Sequence, residues 1–214
     1  MDVNVIYNSE CRLGLKCLPE NSVNCCITSP PYYGLRDYGN DEQIGLEATP
    51  EEYIGKLVEV FREVRRVLTN DGTLWVNIGD SYAGSMKGAA QFPDNAMNYK
   101  QGTNRGTLGK ATLVKQCTNC KPKDLIGIPW MLAFALRADG WYLRQDIVWS
   151  KPNPMPESVR DRCTKSHEYI FLLSKSRLYY FDADAIKVPA RESTMRRIRQ
   201  DVDNQVGSSR NSER

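Results

Sequence analysis

Cys25-Cys26-Ile27-Thr28-Ser29-Pro30-Pro31-Tyr32-Tyr33-Gly34 opens as a short apolar run and stops at two consecutive prolines. Such a run reads as a buried strand. Neither proline carries the N–H that would continue a ladder, so the chain must leave the sheet edge at Ser29–Tyr32. In open α/β sheets the crevice just outside the carboxyl ends of the strands is where ligands bind.

The residues at this exit have complementary chemistry. Ser29 brings a hydroxyl that donates or accepts. Pro30 brings a carbonyl with no competing amide donor from Pro31, and Tyr32 brings a flat ring that can stack on a planar group. Together they suit an exocyclic amino group on a nucleobase. Taken alone, a Pro-Pro turn that simply closes a core strand explains the stretch as well, so the rest of the chain decides.

Around this stretch lie 214 residues, 41% hydrophobic and 26% charged, with a net charge of +3. This is enough for one α/β domain with a substantial core. Mild basicity permits a nucleic-acid partner without demanding one. Seven cysteines and no signal-like apolar N-terminus point to a reducing cytoplasm rather than a disulfide framework. No apolar run approaches the roughly 18–20 residues of a membrane helix, so no membrane partner is expected.

Upstream, Val3–Tyr7 alternates as a short strand, followed by Asn8-Ser9-Glu10-Cys11. Glu10 can accept from a ligand's amine or hydroxyl, or cap a helix suggested by Leu13, Leu15 and Leu18. Downstream, Tyr33–Leu46 is a polar loop that carries Arg36 and Asp37 near the exit. A helix then starts at Thr49-Pro50-Glu51-Glu52, a T-x-x-E capping box with proline at the first position. Ile54, Leu57, Val58, Phe61, Val64 and Leu68 form its apolar stripe, with Arg62, Arg65 and Arg66 on a solvated face. Asn70-Asp71-Gly72 stops it before a strand over Thr73–Ile78. Strand, helix and strand in this order predict a parallel crossover unit.

The pattern lapses between Ser81 and Cys117, a flexible loop (81–117) of a length usually functional or disordered. Beyond it, Pro129 opens a helix through Trp130, Leu132, Ala133, Leu136 and Arg137. Trp141–Trp149 and His167–Leu173 read as strands, and Leu178–Phe181 as a hairpin partner of the latter. Residues 191–214 are polar and Arg-rich: a linker or the beginning of a further module.

In order along residues 1–190, these segments resemble the amino-methylating DNA methyltransferases, which modify the exocyclic amine of cytosine or adenine. The resemblance rests on Ser29-Pro30-Pro31-Tyr32, Ile44–Tyr53, and Arg66-Val67-Leu68 with Asp71–Asp80. Lys123–Trp130, Asp146–Pro156 and Ser166-His167-Glu168-Tyr169-Ile170 follow. It implies a Rossmann-like α/β sheet, S-adenosyl-L-methionine as cofactor, double-stranded DNA as partner and a bacterial or phage setting. On this resemblance Ser29, Pro30, Pro31 and Tyr32 are the catalytic residues, with Glu10, Thr28 and Ser29 near the cofactor. Tyr32, Tyr33, Arg36 and Lys151 are the expected DNA contacts. Cys25 and Cys26 are core residues, not nucleophiles. Serine at the first motif position leans towards cytosine.

Two departures accompany the match. Ser9-Glu10 stands where members of this order often have Gly-Asp. A Gly-rich cofactor loop of the type F-x-G-x-G, placed towards the C-terminus in this permuted subclass, is missing; Gly102-Thr103-Asn104-Arg105-Gly106 follows no strand and is no substitute. The sheet is therefore expected to be incomplete at its C-terminal side, with the chain a catalytic half that holds the cofactor poorly alone. A homodimer or a complementing C-terminal subunit would supply the rest.

Competing readings are a non-catalytic remnant or split subunit that binds DNA or a partner, and a methylase of RNA or a protein glutamine. Cys117-x-x-Cys120 with Cys163 and His167 has the residue types of a zinc site. A single C-x-x-C is weak evidence, and His167 belongs to the His-Glu block, so no metal is expected. Arg144 and Lys151 can reach phosphates, and Trp149 reads as core.

Overall fold

A computed structural model describes residues 4–40, 42–84, 117 and 119–199. Most of the expected loop at 81–117, including Gly102–Gly106, lies outside these residues, as does the tail from 200 onward. The chain divides into two units, Met1–Tyr180 and Phe181–Arg214. In the second, a short helix, Glu192–Ile198, is stapled by a 2.7 Å ion pair between Glu192 and Arg196.

The first unit holds a four-stranded sheet. Its elements in chain order are α1 (Cys11–Lys16), β1 (Val23–Thr28), α2 (Pro50–Val67), β2 (Leu68–Ile78), α3 (Ile128–Ala138), β3 (Tyr142–Ser150) and β4 (His167–Ser174). The spatial order is β1-β2-β4-β3. β1 and β2 run parallel through the α2 crossover, whereas β4 is antiparallel to both β2 and β3. The expected crossover unit is thus present.

Helix α2 forms where the sequence places it. Thr49 accepts from the Glu52 amide at 3.2 Å, and the Glu52 carboxylate accepts in turn from the Ala48 amide. Its stripe, Tyr53, Ile54, Leu57, Phe61 and Val64, is buried against Leu74, Val76 and Ile78 of β2 and Phe171 and Leu173 of β4. Each such side chain contributes roughly 1.5–3 kcal/mol. Helix α3 joins the same core, with the Trp130 ring 5.2 Å from Phe171. Side chains alternate along a strand, so Trp75, Asn77, Glu168 and Ile170 occupy the other face.

Several expectations are corrected. The helix ends at Val67 and passes directly into β2, so Asn70-Asp71-Gly72 is a bulge inside a longer strand, not a helix stop. A Cβ on Gly72 would lie 3.0 Å from the Thr69 carbonyl, which explains glycine at the tightest point. Asn4–Tyr7 forms no strand, because no described strand runs alongside it, and Ile6 is 97% exposed. β4 pairs with β2 and β3, leaving no edge for Leu178–Phe181. That segment forms no strand; the Tyr180 amide donates instead to the Asp71 carbonyl. β1 is an edge strand, so Cys25 is exposed and Ile27 is 81% exposed, while Cys26 alone of the pair packs on the core. Trp149 is exposed rather than core.

Candidate active site

The chain leaves β1 at Ser29 and folds over the carboxyl end of β2. Three tyrosines fix its path. Tyr53, fully buried in the first turns of α2, donates from its hydroxyl to the Pro31 carbonyl at 2.7 Å. The Tyr33 ring packs 5.5 Å from that of Tyr53, and its hydroxyl donates to the Ala48 carbonyl. Tyr32 takes the opposite course, across the sheet face away from the helices. Its hydroxyl lies 3.0 Å from Asn77 Oδ1 and 3.1 Å from Glu168 Oε2.

Glycine makes this last arrangement possible. A Cβ on Gly79 would stand 2.5 Å from Tyr32 Cε2, closer than any side chain can be tolerated. Gly45, at φ 109°, brings its own backbone beside the Tyr32 carbonyl, and its carbonyl accepts from the Gly34 amide at 2.7 Å.

Glu168 is the hub on the sheet side. Lys151, at the end of β3, forms an ion pair with its other oxygen. Burial opposes the charge on Glu168, but the hydrogen bonds from Lys151 and Tyr32, together with the lysine's charge, outweigh it and hold the carboxyl below its ordinary value. Burial raises the Tyr32 phenol, and the neighbouring Glu168 charge adds to that, while a hydrogen bond with Ser29 works against both. The phenol therefore stays protonated and donates. Asp80, just past β2, accepts from the amides of Gly127 (2.9 Å) and Ile128 (3.0 Å) and so caps α3. Gly127 has no side chain for that task.

A cleft of about 260 Å³ opens on this turn, lined by Ser29, Pro30, Pro31, Tyr32, Leu35, Arg36 and Tyr38. It has room for one planar ring system. Ser29 is exposed and Pro30 is buried beside it, and among the described residues no backbone donor reaches the Pro30 carbonyl. A hydroxyl that already bonds with Tyr32 and an uncontested carbonyl thus adjoin on the turn. A larger cleft of about 850 Å³ is lined by Tyr82, Gly84, Lys123, Ser158 and Arg162 among others. Its Lys123 and Arg162 are engaged by Asp161 and Glu157.

Of the residues expected here, Ser29, Pro30, Pro31, Tyr32 and Arg36 come together. Tyr33 is 4% exposed and serves as an anchor of the turn. Lys151 spends its charge on Glu168 rather than standing free for a phosphate. Of the two roles open to Glu10, the helix cap is the one formed. Its carboxylate accepts from the Leu13 amide at 2.9 Å and from Arg12 Nε at 3.1 Å, and the amide bond is the main cause of a pKa lowered to about 2. Thr28 is half-buried at the end of β1. Cys117 and Cys120 are joined as a disulfide, a local pair rather than a framework. Among the described residues no three His, Cys, Asp or Glu side chains converge as metal ligands. Burial lifts the Cys26 thiol to about 11, which removes it as a nucleophile.

Sequence reasoning missed the roles of Tyr53, Asn77, Gly79 and Glu168. One signal was present: a polar asparagine, Asn77, inside the apolar run Leu74–Ile78, with Gly79 directly after the run.

A DNA methylase family model (N6_N4_Mtase) matches residues 23–213. The type II methyltransferase M.Cfr9I of Citrobacter freundii is 54% identical over 186 residues, which cover 85% of this chain and 58% of that protein. The chain spans 58 to 62% of the length of three such curated relatives. Among solved structures, PvuII DNA methyltransferase (cytosine-N4-specific) superposes with a TM-score of 0.56 at 17% identity, over 84% of this chain and 52% of its own. A putative DNA modification methylase of Thermus thermophilus, solved with S-adenosyl-L-methionine, gives 0.50 at 20% identity, over 89% and 62%. At such identities these two likenesses speak for the fold, the Rossmann-like methyltransferase sheet. With the family match running through every strand of that sheet, from Val23 onward, the chain belongs to the DNA methylase family of N6/N4 methyltransferases.

Proposed function

We propose that this chain carries the catalytic turn of a site-specific DNA methyltransferase that moves a methyl group from S-adenosyl-L-methionine to the exocyclic amine of a flipped cytosine or adenine. The observation that carries the reading is the exposed Ser29 hydroxyl beside the uncontested Pro30 carbonyl, on a turn held by Tyr53 and Glu168. An exocyclic amine is a poor nucleophile because its lone pair is conjugated with the ring. Two acceptors fixed on its two protons draw that pair out of conjugation and aim it. Tyr32, immobilised through its hydroxyl, offers a ring to stack on the base. A base inside a duplex cannot reach a cleft of this size, so it must be flipped out.

Bound S-adenosyl-L-methionine supplies an electrophilic methyl group. The residues that fit its approach from this chain are Thr28 and Ser29, at the open carboxyl end of β1, with Glu10 as a further candidate beyond its capping role. Arg36, at the mouth of the cleft, suits a DNA phosphate. Ser29 favours cytosine over adenine. Among the described residues the outer edge of β1 is unpaired, with Ile27 exposed, which supports completion of the sheet by a complementing segment or a second copy. A bacterial cytoplasmic setting accords with the sources of the named relatives; among the described residues no helix is long and apolar enough to cross a membrane.

The test is transfer of labelled methyl from S-adenosyl-L-methionine to DNA, RNA and protein in parallel. It is run with the chain alone and with a polypeptide bearing the F-x-G-x-G segment, and read by nucleoside mass spectrometry. Methylated cytosine or adenine in DNA, reduced about 10²-fold by Ser29→Ala, is the expected result. Label in RNA or protein alone, or none in the complemented sample, overturns the reading.

A further inference from the structure

At the opposite end of the sheet, where β2 begins and β4 ends, lies a polar cleft of about 440 Å³. Four cations line it, Arg62, Arg65, Arg66 and Lys175, against two carboxylates, Glu20 and Asp139. The sequence alone reads the three arginines as a solvated helix face. The structure separates them into two kinds.

Arg62 and Arg66 are spoken for. Arg62 makes a forked contact to Asp139 at 2.6 and 2.8 Å. Arg66 pairs with Glu63 at 2.9 Å and donates its remaining nitrogens to the carbonyls of Leu18 and Leu15. Arg65 and Lys175 are different. Lys175 gives two of its three protons to neutral oxygens, Asn21 Oδ1 at 2.6 Å and the Leu68 carbonyl at 2.7 Å. Among the described residues no carboxylate pairs with it. The Arg65 Nε is buried without any hydrogen-bond partner, and no ion pair among the described residues holds the guanidinium. Two cations therefore face one cleft with no counter-charge in contact. Burial first, and then the Arg65 charge, lower the Lys175 pKa, while the Glu20 charge on the same cleft works against them.

We propose that this cleft is a second ligand site, which takes a phosphate group between Arg65 and Lys175. Arg65 offers the planar fork that matches phosphate oxygens, and Lys175 a point charge with one proton to spare. The site lies roughly 20 Å from Ser29 along the strands, too far to belong to the base-binding cleft. It does not rest on the methyl-transfer reading.

The test is titration of the purified chain with inorganic phosphate at constant ionic strength, chloride making up the balance, followed by calorimetry and thermal melting. Saturable binding with a rise in melting temperature is expected, weakened about tenfold or more by Arg65→Gln. Glu20→Gln should tighten binding severalfold, a gain that a folding defect cannot mimic. Arg196→Gln, in the second unit, should leave it unchanged. A short duplex that displaces phosphate would identify the source as a nucleic-acid backbone, whereas failure to displace it would point to a small phosphate-bearing molecule. Phosphate that binds no better than chloride, or binding indifferent to both Arg65→Gln and Glu20→Gln, overturns the proposal.

Discussion

Two stretches of this chain look alike on paper and differ in the folded molecule. Asn8-Ser9-Glu10 and Thr28-Ser29-Pro30 each follow an apolar run and each offer polar groups at its end. The second is pinned by Tyr53 through Pro31, by Tyr33 through Ala48 and by Tyr32 through Asn77 and Glu168. The first is held more loosely among the described residues: Glu10 bonds to Leu13 and Arg12 of its own helix, Arg12 reaches Glu59 of α2 at 3.5 Å, and Ile6 stands in solvent. A polar group gains a fixed direction when aromatic side chains from other elements anchor the backbone beside it. Sequence position at a strand end is not enough.

The contrast is most exposed to failure at Gly79. Gly79→Ala places a carbon inside the Tyr32 ring contact and should cost about 10²-fold in DNA methyl transfer by the complemented enzyme, since small misplacements near reacting groups are that expensive. Far-ultraviolet circular dichroism should remain unchanged. Retained activity would mean that Tyr32 is not held where the contrast requires.

A smaller effect is expected from Tyr53→Phe. Losing one hydroxyl strands the Pro31 carbonyl and should lower stability by about 1–3 kcal/mol in denaturant unfolding. If methyl transfer falls with it, the anchoring bond itself is responsible, because the ring packing is untouched.

Glu168 supplies a pH test. Its folded pKa is depressed, so its contribution is fully present above the ordinary carboxylate value of 4.5 and is lost as pH falls through the folded value. Glu168→Gln should flatten that part of the acid limb of stability. It should also lower activity severalfold through a misplaced Tyr32. An acid limb identical to that of the parent would show that the Lys151–Glu168–Tyr32 linkage contributes nothing in solution.

The smallest effect belongs to the N-terminal stretch. Glu10→Ala should cost about 0.5–1 kcal/mol of local helix stability, read as faster hydrogen exchange at the Leu13 amide. The Glu10 cap is complete above pH 4.5 and fades as pH falls through about 2. No change in the exchange of turn residues 31–33 is expected, and any such change would show that the link from Arg12 to Glu59 of α2 carries the effect across.

Much of this was legible in the chain itself. Thr49-Pro50-Glu51-Glu52 announces α2, and Pro30-Pro31 announces the exit from β1. Both are local signals, carried by capping chemistry and a missing donor. What stayed hidden is relational. Tyr32 meets Asn77 and Glu168 across 45 and 136 residues of sequence, which no periodicity encodes. The insertion of β4 between β2 and β3 is likewise a choice among strand orders that hydrophobic alternation leaves equal. Leu178–Phe181 carried a strand-like composition, but β4 already had a neighbour on each side. The exposure of Cys25 and Ile27 follows from β1 being an edge strand, which again is a property of the sheet and not of the run.

The Tyr53 hydroxyl has a use in spectroscopy. A phenolic proton that is sealed from water and donated to a carbonyl at 2.7 Å exchanges slowly enough to give its own resonance, displaced from those of solvent-exposed tyrosines. Such a signal would watch the Pro31 turn directly, without a label and without substrate. Its broadening on addition of DNA would time the opening of the turn, and its persistence would show that a base enters a site already built.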